Sequence, residues 1–202
     1  MGQPLAAAKA VLIMIHGRGA RAEDILSLVP ELDQPDFAYL APQAAGNTWY
    51  PYRFLEPREK NEPHLTSALA TISGLVEHVL GQGFRPEQIG LLGFSQGACL
   101  AVEWAARNPR RYGGVFVLSG GLIGDVLTPL PGTLDGTPAF FGCSDVDFHI
   151  PKERVTESAE MLRTMNAEVT VRLYPGMGHT INEDEIAAVH GIMEKVAGKK
   201  SE

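Results

Sequence analysis

The chain has 202 residues, of which 45% are hydrophobic and 20% are charged, and it carries a formal net charge of −7 with a pI near 5.4. A chain of this size can bury a full hydrophobic core, and we predict one domain over residues 1–202. The acidic balance argues against a nucleic-acid partner, because binding to phosphates needs clustered cations. The basic pair Lys199 and Lys200 is predicted to be only a C-terminal tail.

The apolar run near the N-terminus follows no basic segment and is too short to span a bilayer. We therefore expect no transmembrane segment and a cytoplasmic protein. Cys99 and Cys143 are too few for a disulfide framework and lack the spacing of a zinc site. Both are expected to be buried as small apolar residues.

Short apolar runs alternate with amphipathic stretches along the chain. In chain order, the predicted strands are 10–16, 37–42, 89–95, 114–120, 138–143 and 169–175. The predicted helices are 23–32, 62–82, 96–107, 152–166 and 182–197. Such alternation predicts parallel strands joined by helical crossovers, and continuously apolar strands predict helices on both faces of the sheet. The expected fold class is α/β, with an open, doubly wound, mostly parallel sheet.

Residues 43–61 and 121–136 are interrupted by Pro, Gly and Asn, and both are predicted to be loops near the ligand end of the sheet. They are too short and too broken to form a large cap domain. We therefore expect an open, shallow site. Because each buried methylene contributes about 0.8 kcal/mol, such a site favours acyl chains of about four to eight carbons.

The segment GFSQG places Ser95 between Gly93 and Gly97 in the pattern G-x-S-x-G. This pattern alone is weak in a chain with 22 glycines. Here it follows a predicted strand and opens a predicted helix, as a nucleophile on a sharp strand-to-helix turn requires. We therefore interpret Ser95 as a nucleophile rather than as a structural serine in a glycine-rich turn.

A serine nucleophile needs a base, and His179 lies between the last strand and the last helix, where the chain order Ser, acid, His places it. The acid should follow the strand at 138–143, where both Asp145 and Asp147 are available, with Asp147 favoured. Of the remaining histidines, His78 and His190 fall in predicted helices, and His64 lies in a loop or at a helix start. His149 shares a loop with two acids, and His16 ends a predicted strand. Of these, His16 is expected to support its loop through hydrogen bonds.

Acyl transfer also needs two backbone N–H donors for the oxyanion. The residue after the nucleophile, Gln96, supplies one, and Arg18 in the HGRG loop after the first strand is the predicted second donor. The aromatic segment WYPYRF contains Trp49, Tyr50, Tyr52 and Phe54. These side chains have two interpretations, lining the substrate groove or anchoring their own loop.

Together the motifs HGRG, GFSQGA, WYPYRF, SDVDFHIP and PGMGH resemble the acyl-protein thioesterase and small carboxylesterase family, also called phospholipase/carboxylesterase, over nearly the whole chain. The resemblance implies an α/β-hydrolase fold and a triad of Ser95, Asp147 and His179, since the family's D-x-x-V-P pattern falls on residues 147–151. The chain departs from the family at Arg18, Ala20 and Phe148, where Leu, an acid and Pro are usual. These departures bear on acyl-chain preference rather than on the chemistry.

The expected function is hydrolysis of small carboxylic esters or thioesters through an acyl-enzyme, with no cofactor, no metal and a possible homodimer. A dienelactone-hydrolase-like or peptidase-like enzyme on the same fold is one alternative. A ligand-binding module without catalysis is another. A metal site built from His179 with Glu183, or from Asp147 with His149, is disfavoured because no His or Cys pair has ligand spacing.

Overall fold

The structure, a computed structural model, describes residues 1–198, so the predicted tail of Lys199 and Lys200 lies outside the described residues. Its sheet has six strands in the order β2-β1-β3-β4-β5-β6, and every neighbouring pair is parallel. The strands are β1 Ala10–Ile15, β2 Phe37–Leu40, β3 Ile89–Phe94, β4 Gly114–Leu118, β5 Pro138–Ser144 and β6 Glu168–Tyr174. This arrangement confirms the predicted open parallel sheet.

The α-helices are α1 Ala22–Leu26, α2 Val29–Leu32, α3 His64–Gly81, α4 Gln96–Arg107, α5 Lys152–Thr164 and α6 Glu183–Val196. The single helix predicted over 23–32 is therefore wrong, because the chain forms α1 and α2 separately. Pro30 has no N–H to donate to the carbonyl of Leu26, so the first helix ends before it.

Helices cover both faces of the sheet, as continuously apolar strands require. Val11, Ile13 and Ile15 of β1 face a core built with α3, α4 and α5. The alternate residues of β1 face a second core, which includes Ile25 of α1, Leu32 of α2 and the buried face of α6. The sheet is thus doubly wound, and the carboxyl ends of its strands meet at one edge, where the loops converge.

The edge strand β6 departs from the prediction of continuously buried strands. Its residues alternate between partly buried and exposed positions. Arg172 on β6 pairs with Asp184 of α6 at 2.7 Å, and its guanidinium lies 5.8 Å from the centre of the Phe140 ring. Charged side chains on an edge strand discourage pairing with another chain, which explains the polar residues here.

Buried charges anchor the two irregular segments. Glu103 of α4 is 1% exposed and accepts hydrogen bonds from Arg58, Arg107 and the N–H of Ile123. Arg154 of α5 donates to the carbonyls of Leu122, Gly124 and Asp125. Both loops are therefore fixed against the helices beneath them.

Neither segment contains a helix long enough to build a cap domain. The first contains two short 3-10 helices, Ala45–Asn47 and Arg58–Asn61, and residues 121–136 have no helix. Among residues 1–198, no helix has both the length and the apolar character needed to cross a membrane.

Candidate active site

Ser95 lies on the turn between β3 and α4 with φ 55° and ψ −121°, a conformation that non-glycine residues rarely adopt. A Cβ on Gly97 would lie 2.0 Å from the carbonyl oxygen of Ile15, and a Cβ on Gly93 would lie 2.2 Å from that of Gly97. Both positions therefore require glycine for the close approach of strand and helix. This packing presents the Ser95 side chain at the carboxyl end of the sheet.

The structure brings Ser95, His179 and Asp147 together although they are distant in sequence. His179 Nε2 lies 2.9 Å from Ser95 Oγ, and His179 Nδ1 lies 2.6 Å from Asp147 Oδ2. A carboxylate accepts only, so Nδ1 carries the proton that binds Asp147, and Nε2 is left to accept the Ser95 hydroxyl. The hydroxyl, imidazole and carboxylate thus form one connected chain of hydrogen bonds.

The Asp147 side chain is fully buried, whereas that of His179 is 22% exposed. Burial acts to raise the pKa of Asp147, but the hydrogen bond from His179 and the N–H groups of His149 and Ile150 outweigh it. The pKa of Asp147 is consequently lowered from its usual value of 3.8. Asp147 is therefore a carboxylate at neutral pH and holds the imidazole in a fixed orientation.

Asp145, the alternative acid, is hydrogen-bonded to backbone groups and not to His179. Its Oδ1 accepts the N–H of Gly176 at 2.8 Å, and its own N–H donates to the carbonyl of Tyr174 at 3.1 Å. These bonds hold the turn that leads from β6 to His179. Asp145 therefore stabilises the histidine loop and does not contact the imidazole.

The two predicted oxyanion donors lie on the two loops that border Ser95. Among residues 1–198, the backbone N–H groups of Arg18 and Gln96 donate to no other protein group. The Gln96 side chain accepts the N–H of Trp49 at 2.9 Å and donates to the carbonyl of Tyr50 at 2.8 Å. Gln96 thus fixes the aromatic loop to the start of α4 while its own N–H remains available.

His16 supports the first of these loops, as expected. Its Nε2 accepts the N–H of Ala44 at 3.1 Å, so its Nδ1 donates to the carbonyl of Gly17 at 2.8 Å. The ring is completely buried and lies 5.0 Å from that of Trp49. His16 is therefore a neutral structural histidine.

A cavity of about 480 Å³ opens beside Ser95 and His179. Tyr50, Tyr52 and Phe54 line it, and Tyr50 and Phe54 are almost fully buried. The structure does not bring Trp49 to this cavity, because the indole N–H instead donates to the carbonyl of His16 at 2.9 Å. Of the predicted aromatic residues, Tyr50, Tyr52 and Phe54 border the site, and Trp49 anchors the loop.

His149, which the sequence analysis placed only beside two acids, packs against the candidate base. The centres of the His149 and His179 rings lie 4.9 Å apart, and Phe94 contacts His179 at the same centre-to-centre distance. The imidazole of His179 is thus in contact with two other rings. No local sequence signal reveals this contact, because it depends on how two loops meet.

Both cysteines are buried and free, as predicted. Cys99 lines the cavity, but burial raises its pKa, and that of Cys143, to about 12. Their thiols are therefore protonated and poorly nucleophilic at neutral pH. In the described part of the chain, residues 1–198, no group of three or more His, Cys, Asp or Glu side chains is arranged to hold a metal ion.

A serine on a strained strand-to-helix turn, bonded to a histidine that a buried aspartate orients, defines an α/β-hydrolase on this sheet. A sequence model of the family described as phospholipase/carboxylesterase matches residues 2–197. The chain therefore belongs to the phospholipase/carboxylesterase family.

Individual relatives agree with this assignment. A crystal structure of a phospholipase/carboxylesterase from Dyadobacter fermentans is 45% identical and superposes with a TM-score of 0.93, covering 96% of this chain and 93% of that one. Acyl-protein thioesterase 1 of Gibberella zeae is 30% identical over 60% of this chain, and that of Saccharomyces cerevisiae is 32% identical over 64%. These two matches span 53% and 59% of the relatives' own lengths.

Proposed function

We propose that the protein is a serine hydrolase that cleaves small carboxylic esters or thioesters through an acyl-enzyme on Ser95. The observation that carries this proposal is the continuous hydrogen-bonded chain from Ser95 through His179 to the buried Asp147. Membership of the phospholipase/carboxylesterase family supports the same chemistry. A binding module without catalysis would have no need for this arrangement.

In the proposed reaction, Ser95 Oγ attacks the carbonyl carbon while its proton passes to His179 Nε2. The tetrahedral intermediate then collapses, the bond to the alcohol or thiol breaks, and the leaving group takes the proton from Nε2. Water then attacks the acyl carbon and gives a proton to Nε2, which forms a second tetrahedral intermediate. The acid is released as Ser95 regains its proton.

The intermediate carries a negative charge on the former carbonyl oxygen, which needs donors already in place. The unengaged N–H groups of Arg18 and Gln96 fit this role. Asp147 stays ionised throughout and stabilises the imidazolium that forms in each half-reaction. Its low pKa supports this role, because the carboxylate does not take up the proton itself.

The proposed substrates have short to medium acyl chains of about four to eight carbons. A cavity of about 480 Å³ is in the lower part of the range of about 300 to 1,000 Å³ that ligand pockets occupy. The fungal relatives named acyl-protein thioesterase support thioesters as substrates beside oxygen esters.

The test is a series of nitrophenyl esters and matched thioesters from acetyl to palmitoyl, assayed with the wild type and with Ser95→Ala. We expect kcat/KM to peak in the middle of the series and Ser95→Ala to be inactive with unchanged circular dichroism. Ser67→Ala, on the exposed side of α3, is the matched control and should retain full activity. Residual activity of more than a few per cent in Ser95→Ala would refute the nucleophile, and a steady rise to palmitoyl would refute the short-chain preference.

A further inference from the structure

The cavity beside Ser95 is lined by two arginines, although the whole chain carries a net charge of −7. Arg18 comes from the loop after β1, and Arg53 comes from the aromatic loop. Among the described residues, no carboxylate lies within salt-bridge distance of either guanidinium. Two positively charged residues therefore border the cavity, and neither guanidinium has a counter-ion among the described residues.

The Arg18 guanidinium is fixed in place. Its Nη1 donates to the carbonyl of Pro51 at 2.8 Å, and its Nη2 donates to that of Tyr52 at 2.7 Å. Carbonyl partners orient a guanidinium but do not neutralise it, and each Nη retains a second proton. Arg18 thus fixes the aromatic loop at the border of the cavity, and its charge is not neutralised by these carbonyl partners.

Arg53 belongs to the same fixed loop. Its carbonyl accepts the N–H of Glu56 at 3.1 Å and Nδ2 of Asn61 at 3.2 Å, whereas its side chain makes no hydrogen bond to any described residue. Asn61 is completely buried and also accepts the N–H of Tyr52 at 2.9 Å, so the backbone here is well ordered by its partners. A fixed backbone with a free guanidinium suits the binding of an anion.

Among residues 1–198, the one carboxylate on the cavity wall outside the triad is Glu56, and it is already paired. Lys60 Nζ donates to Glu56 Oε2 at 2.7 Å, and this hydrogen bond raises the pKa of Lys60. Glu56 therefore does not compensate the arginines. Of the other titratable lining residues, His149 and His179 carry either no charge or a positive one, and burial raises the pKa of Tyr50 and of Cys99, so that both stay uncharged at neutral pH.

We infer that the preferred substrate carries an anionic group, such as a carboxylate, which binds Arg53 and the Arg18 guanidinium while the ester carbonyl lies at Ser95. The inference rests on the proposed hydrolase function and adds the chemical class of its substrate. The anion belongs to the acyl part or to the leaving group, and the assays below distinguish the two.

The acyl arm compares nitrophenyl pentanoate with the nitrophenyl half-ester of glutarate, which has the same chain length and a terminal carboxylate. The leaving-group arm compares propyl butanoate with the butanoyl ester of glycolate. We expect the wild type to favour the anionic member of at least one pair. Arg53→Gln should lower kcat/KM for that anionic ester about tenfold, as expected for loss of one charge-assisted hydrogen bond, and should lower the neutral ester far less.

Arg85→Gln is the matched control, because it removes an identical charge from an exposed side chain before β3, at the opposite end of the sheet. It should leave the preference unchanged, and Arg53→Lys should retain part of it. Equal kcat/KM for both members of each pair in the wild type would overturn the inference, as would an equal loss for both in Arg53→Gln. Failure to hydrolyse the neutral and anionic esters alike would instead refute the proposed hydrolase function.

Discussion

Glu185 of α6 is a completely buried carboxyl group that takes no part in the triad. Its Oε2 accepts the N–H of Asn182 at 2.9 Å, but its Oε1 has no hydrogen-bond partner and faces Gly142 of β5. Burial raises the pKa of Glu185 from 4.5 to about 7, against the lowering effect of the Asn182 N–H and with a smaller rise from Asp184. The charged form is therefore disfavoured in the folded protein.

The sign of the effect on stability follows from this rise. Between pH 4.5 and about 7 the folded state retains a proton that the unfolded chain releases, so the free energy of unfolding falls as the pH increases. Each pH unit in that window corresponds to about 1.4 kcal/mol, which gives a loss of about 3 kcal/mol by pH 8. Glu185→Gln retains an acceptor for Asn182 but cannot ionise, so it should remove this loss.

The assay is urea unfolding of the wild type, Glu185→Gln and Glu183→Gln at pH values from 5 to 8, with stability obtained by linear extrapolation. Glu183→Gln is the control, because that carboxylate lies exposed in the same first turn of α6. Between pH 5 and 8 the free energy of unfolding should fall equally in the wild type and the control, and it should fall by about 3 kcal/mol less in Glu185→Gln. An identical pH dependence in all three proteins would refute the reasoning.

Two further predictions concern the turn at the nucleophile and the choice of acid. Gly97→Ala should destabilise the fold by about 3 kcal/mol, since its Cβ would meet the Ile15 carbonyl, whereas Gly74→Ala in open space on α3 should stabilise it by about 1 kcal/mol. Thermal denaturation of both variants tests this pair, and equal effects would contradict it. Asp147→Asn should lower kcat by about four orders of magnitude, while Asp145→Asn should have a far smaller effect, because an amide oxygen still accepts the Gly176 N–H. A crippled Asp145→Asn with an active Asp147→Asn would reverse the assignment of the acid.

The parallel sheet and the Ser95 turn were predictable because their signals are local. A buried parallel strand is apolar along its length, and the glycines at 93 and 97 mark where backbone segments must approach closely. Chain order singled out His179 and limited the acid to Asp145 or Asp147, because the loops after successive parallel strands meet at one edge of the sheet. The structure then separates Asp147 from Asp145 by their hydrogen-bond partners.

The remaining features depend on contacts between distant segments. Nothing local indicates that Glu103 of α4 is buried and paired with the partly exposed side chains of Arg58 and Arg107. Likewise, no pattern distinguishes Trp49, which bonds to the strand-end loop, from Tyr50, which borders the cavity. The position of each of these side chains depends on tertiary packing, which gives most buried polar atoms a hydrogen-bond partner.

The central claim, that Ser95 forms a covalent acyl-enzyme, is tested most directly by intact-protein and peptide mass spectrometry after brief mixing with a nitrophenyl ester and acid quenching. We expect a mass increase equal to one acyl group less one hydrogen, located on the peptide that contains Ser95 and absent from Ser95→Ala. Rapid ester turnover with no adduct under any quench time, or an adduct that persists in Ser95→Ala, would contradict it.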